Sequence, residues 1–137
     1  MIFSDVYKWS PYLTAGNFRQ IVVTVNYRIG IFGFLSFWEN EPTGGNYGLI
    51  DQQEAIAFVR KNAENLQGDR NRITIFGESS GGESVAYHLI NEKSSSMISN
   101  AIIQSAAYWW NSNPYSEFLK KGRLVKLKIV RRYIFLE

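Results

Sequence analysis

Residues 73–90, ITIFGESSGGESVAYHLI, change character within a few positions. They begin with β-branched and aromatic residues, pass through a turn rich in Gly and Ser, and leave with apolar residues at helical spacing. A strand that runs through a sharp turn straight into a helix belongs to a parallel sheet, because a crossover must then lead to the next strand. The rest of the chain supplies the other elements. Ile21–Tyr27 is apolar and β-branched without clean alternation, which predicts a buried strand. IGIFGFLSF follows, with Gly30 and Gly33 breaking its regularity. In ENEPTGGN, the residues Pro42, Gly44, Gly45 and Asn46 supply turn chemistry. Leu49, Ile50, Ala55, Ile56, Phe58, Val59 and Ala63 recur at steps of three and four, which predicts a helix from Tyr47 to near Leu66. Residues 73–76 form a second strand, Ser80–Asn91 a second helix, EKSSS a loop, and residues 100–105 a third strand. The expected class is therefore α/β: parallel strands joined by right-handed crossover helices. No internal repeat is visible.

Bulk properties narrow the class further. At 137 residues and 45% hydrophobic, the chain suits one globular unit and is too apolar for a disordered one. Its longest apolar runs are far too short to span a bilayer, so no transmembrane segment is expected. The first residues, MIFSDVYKWSPYL, carry Asp5 and Lys8 early and lack a long apolar stretch, and no signal peptide is read. The chain has no cysteine, which excludes disulfides, thiolate chemistry and a Cys/His zinc cluster. Neither a metal nor a cofactor is expected. The net charge of +3 is uneven. Residues 115–137 hold Lys120, Lys121, Arg123, Lys126, Lys128, Arg131 and Arg132 against Glu117 and Glu137, a local +5 that leaves −2 for the rest. The basic character belongs to the tail, and nucleic-acid binding by the whole chain is not expected. The tail reads as a solvated surface segment or a non-native end, with an anionic membrane surface as the alternative partner.

Gly77, Glu78, Ser79, Ser80 and Gly81 form a Gly-x-Ser-x-Gly between the second strand and the helix. Alone the pattern is weak, but its setting is that of a nucleophile elbow. Such a turn is strained. Gly77 and Gly81 are expected to remove Cβ atoms that would collide, so that the turn lifts the Ser79 hydroxyl above the sheet. The N–H of Ser80, at the helix N-terminus, would point toward a developing oxyanion. The competing reading is a Gly-rich connection with an incidental serine.

Four blocks, VVTVNYRIGIFGFLS, GNYGLIDQQEAIAFVRKN, GDRNRITIFGESSGG and AIIQSA, resemble the type-B carboxylesterase and cholinesterase-like family in order and spacing over about residues 20–106. The resemblance implies an α/β-hydrolase fold and ester hydrolysis through an acyl-enzyme. It implies that Ser79 is the nucleophile and that the Ser80 N–H, where the family usually has Ala, is an oxyanion donor. Glu78 matches an acidic residue often buried beside the site, and Ser105 a serine that supports the catalytic acid. Asp51 matches a structural position. Gln67 and Arg70 stand where the family has Gly and Pro, and Ala106 where it has Gly, which puts backbone strain at Ala106 in question.

The resemblance also leaves gaps. His88 is the only histidine. It follows Ser79 by nine residues, about 13 Å along a helix axis, too far to serve as its base. The family's acid and His lie downstream of these residues. Its His-Gly-Gly-Gly loop lies upstream, whereas residues 1–20 hold one Gly, Gly16, and no His. The third family strand, expected between Ile21–Tyr27 and residues 73–76, is missing as well, which would leave open strand edges. The chain is thus expected to be a fragment of one carboxylesterase domain, with 107–137 a divergent tail and no activity alone. The full-length parent would be a serine esterase acting on small-molecule esters; its compartment is left open, with the extracellular space and the ER lumen compatible with it. The alternative is a non-catalytic cholinesterase-like adhesion or interaction protein, or a degenerate pseudoenzyme.

Overall fold

A computed structural model of the chain describes residues 15, 16, 19–36, 44–106 and 120. These residues divide between two compact units. The first holds the described residues up to Asn26 and from Gln53 onward to Ala106. The second holds those from Tyr27 to Gln52, and Lys120. The basic tail lies outside the described residues, apart from Lys120.

The first unit is built around a parallel strand pair. Strand β1, Thr74–Glu78, pairs with β2, Asn100–Gln104, in a register that sets Phe76 opposite Ile102 and Gly77 opposite Ile103. Because the strands are parallel, the chain between them must cross over, and helix α3, Ser80–Ile90, makes that crossing. Helix α3 packs on both strands. Its Val85 is buried, as is Ala63 in the same unit. The ladder continues below β1, where the N–H of Ser99 donates to the Ile73 carbonyl at 2.8 Å. The α/β class expected from the sequence is the class of the described residues.

Asn91 joins two helices. Its N–H donates to the Tyr87 carbonyl at the end of α3, and its Oδ1 accepts from the N–H groups of Lys93 and Ser94 at the start of helix α4, Glu92–Ser95. EKSSS is therefore one helical turn and not a loop. Its serines favour turns, but the Asn91 side chain satisfies two donors that would otherwise be orphaned and so starts a helix.

Ile21–Tyr27 does not form a strand. The chain from Gln20 to Ile29 is not part of any strand ladder, and Ile21, Val23 and Val25 are exposed. An apolar, β-branched sequence makes a strand only when a neighbour takes its backbone N–H and C=O groups, and among the described residues none does.

The second unit contains helix α1, Gly30–Phe34, and the beginning of helix α2, Tyr47–Asn62. The expected disruption at Gly30 and Gly33 is instead this short helix. Asp51 accepts from the backbone N–H of Arg28 at 3.0 Å and from its Nε and Nη2 at 2.8 and 2.7 Å. The guanidinium also lies 5.0 Å from the centre of the Tyr47 ring. A Cβ on Gly48 would meet the Phe34 ring at 2.6 Å, so the missing side chain lets α2 approach this close. Further along, α2 ends near the expected point, and a 3₁₀ turn, Glu64–Leu66, follows. Gln67 closes that turn at φ 61°, and its N–H donates to the Glu64 carbonyl. No helix among the described residues is long and apolar enough to cross a membrane.

Candidate active site

Ser79 lies between the last residue of β1 and the first residue of α3. Its backbone is at φ 55° and ψ −121°, a conformation an L-residue adopts only at a cost of order 1–3 kcal/mol. Two bonds hold it there. Its N–H donates to the Gln104 carbonyl at the end of β2 at 2.9 Å, and its carbonyl accepts the N–H of Glu83 at 3.0 Å. A serine at a helix N-cap ordinarily uses its hydroxyl to accept an N–H from the first turn. Ser79 makes no such side-chain bond, so its helix does not tie up Oγ. Ser80 is the first residue of α3, so its N–H has no partner within the helix. The N-terminal end of the helix dipole adds partial positive charge at the same place.

The close contacts at the turn differ in part from those expected. A Cβ on Gly77 would strike the carbonyl of Gly81, so the strand and the first turn of the helix approach each other through a missing side chain. At Gly81 the expected collision is absent. A Cβ there would meet nothing within 4 Å. The second steric requirement falls on Gly82, which is buried. A Cβ on it would lie 2.8 Å from the Gln104 carbonyl and 3.1 Å from Cβ of Ala106. The GG doublet at 81–82 signalled a close approach but not which glycine makes it. The part played by Gln104 has no sequence signal, since it acts through its main chain.

The remaining candidates are less concentrated. Glu78 ends β1 and is exposed, not buried as the family resemblance implied, since only β2 borders β1 among the described residues. Ser105 is exposed just beyond β2 at φ 51°. The left-handed backbone lies at Ser105, and Ala106, where strain was in question, does not have a positive φ. His88 is in the last turn of α3 and buried, and its Nδ1 shares a 3.0 Å hydrogen bond with Ser94 Oγ. Burial pushes the imidazole pKa below its ordinary value. Ser79 and Ser80 are adjacent, with Gly77, Gly81 and Glu78 around them; His88 is at the far end of the helix.

The chain matches the carboxylesterase family over residues 7–126. It belongs to that family. Among carboxylesterase relatives, it is 51% identical over 87 residues to the juvenile hormone esterase of Tribolium castaneum, an overlap of 64% of this chain and 15% of that protein. It is 43% identical over 103 residues to the acetylcholinesterase of Gallus gallus, covering 75% of this chain and 13% of the relative. Cholinesterase 2 of Branchiostoma lanceolatum is 39% identical over 104 residues, 74% of this chain and 31% of its own length. The chain therefore spans less than a third of each of these relatives.

Proposed function

We propose that this chain carries the nucleophile of a serine-type carboxylic ester hydrolase. The carrying observation is the conformation of Ser79, held between β1 and α3 with a hydroxyl that does not cap the helix. In this reading Ser79 Oγ attacks the carbonyl carbon of a small-molecule ester, and its proton passes to a base. The tetrahedral oxyanion forms beside the Ser80 N–H, where the helix N-terminus favours negative charge. Collapse expels the alcohol with a proton and leaves an acyl group on Ser79. Water then releases the carboxylic acid and restores the hydroxyl. Gly77 and Gly81 flank the nucleophile in the elbow, while Glu78 and Ser105 support the surrounding polar groups.

The base is not His88, which is buried at the other end of α3 and bonded to Ser94. The chain has no other histidine, so in this reading a histidine base comes from outside these 137 residues. An unassisted serine hydroxyl is a poor nucleophile at neutral pH, and the 137 residues alone are expected to turn over no ester. The region matching the family, residues 7–126, is one piece of a carboxylesterase domain and takes in part of the basic stretch 115–137.

The test compares two proteins on a simple aryl ester: the 137-residue chain, and the product of the longest transcript that encodes it. The longer product should hydrolyse the ester, and Ser79→Ala should lower its kcat by roughly 10⁴-fold or more. The 137-residue chain should match buffer. Turnover by the short chain that Ser79→Ala abolishes would overturn the need for an outside base. A folded longer product with no turnover would favour the non-catalytic interaction reading.

A further inference from the structure

Away from the elbow, the first unit contains a buried polar cluster at the far end of α3. Ser94 is fully buried and His88 is 6% exposed. Besides its bond to His88, Ser94 Oγ donates to Gln53 Oε1 on α2 at 3.5 Å, and its N–H donates to Asn91 Oδ1. One serine thus links α4 to both α3 and α2. The four-residue helix it anchors is too short to hold its shape without that anchor.

We propose that His88 and Ser94 form a proton-gated clasp: with a neutral ring the Nδ1–Oγ bond holds α4 against the end of α3, and protonation of His88 drives the ring into water and releases α4. Two influences on the ring oppose each other. Its place in the last turn of α3 favours a cation through the helix dipole. Burial favours the neutral form and prevails, lowering the pKa. The charged and titratable residues on these elements are Glu83 and Tyr87 on α3, Glu92 and Lys93 on α4, Glu54, Arg60 and Lys61 on the part of α2 in this unit, and Glu78 on β1, at the opposite end of α3; β2 has none. The downward shift comes from burial and from none of these groups. The clasp is therefore fully closed above the ordinary histidine value of 6.5 and opens as pH falls through the lower value of the buried ring. Helix α4 is the element that yields, because α3 is also packed on both strands.

His88 is the chain's single histidine, so its ring resonances can be followed by NMR in the unaltered protein without assignment. The ring should titrate with a midpoint below 6.5. Over the same range the amides of residues 93–98 should lose hydrogen-exchange protection, by roughly tenfold for each pH unit that separates the buried and released midpoints. His88→Gln should remove the pH dependence of that protection, whatever its level. Three results would overturn the clasp. One is a ring that titrates at 6.5 or above. Another is a ring that titrates low while residues 93–98 stay protected. The third is a pH dependence that survives in His88→Gln.

Discussion

At the scale of single residues, the turn around Ser79 depends on which glycines are replaceable. Gly81 and Gly82 are adjacent in α3, yet the space around them is opposite in kind. A Cβ at Gly81 enters open space, and alanine favours a helix over glycine by up to about 1 kcal/mol, so Gly81→Ala should leave stability unchanged or slightly raise it. A Cβ at Gly82 would press on the main-chain carbonyl of Gln104, which cannot swing aside as a side chain does. Gly82→Ala should cost about 1–3 kcal/mol. Urea denaturation of the two variants, side by side, checks both. The sequence showed the need for small residues here because Gly77, Gly81 and Gly82 crowd one serine. It did not show where each faces, since that depends on how α3 lies on β2.

At the scale of elements, the helices were more legible than the strands. Leu49 to Ala63 recur with helical period, and a helix satisfies its own backbone, so the pattern alone was enough to place α2. Ile21–Tyr27 had an equally clear strand composition, but a strand depends on a neighbour that the pattern cannot provide. EKSSS has a turn-like composition, and the cap that makes it a helix sits on the preceding residue, Asn91. The pairing of Arg28 with Asp51 likewise joins residues far apart in sequence. The Arg28 side-chain and backbone hydrogen bonds lower the Asp51 pKa from the ordinary 3.8 to about 2. A depressed carboxylate contributes stability above its unfolded value and loses that contribution as pH falls through the folded one. The second unit should therefore weaken between pH 3.8 and about 2 through this pair. Asp51→Asn should lower the denaturation midpoint at pH 7 and flatten that acid limb, as read by circular dichroism across the range.

At the scale of the whole molecule, the apolar residues are poorly sheltered. Among the described residues only Leu35, Ala63 and Val85 are buried hydrophobics, while Phe76, Ile102, Ile21, Val23 and Val25 are exposed. Phe76 and Ile102 are direct partners across β1 and β2, so their exposure makes a continuous apolar strip on a parallel sheet, a kind of sheet ordinarily covered on both faces. The 137-residue chain should bind a hydrophobic dye and associate as its concentration rises. Sedimentation velocity at increasing concentration should show a growing fraction above monomer, and a single monomeric species throughout would contradict it. The family was legible from four sequence blocks, whereas this exposure was not, because it depends on what each strand finds beside it.

The bond from the Ser79 N–H to the Gln104 carbonyl also sets an order of events. On a ribosome, Ser79 emerges well before Gln104. Until β2 has been synthesised and has docked, only the bond from the Glu83 N–H holds the serine in its unfavourable backbone state, and the turn is freer to relax to an ordinary one. Ser79 therefore completes its geometry late, only when residues downstream of it have arrived, and a nascent chain halted before residue 104 would carry the same serine with half of its support missing.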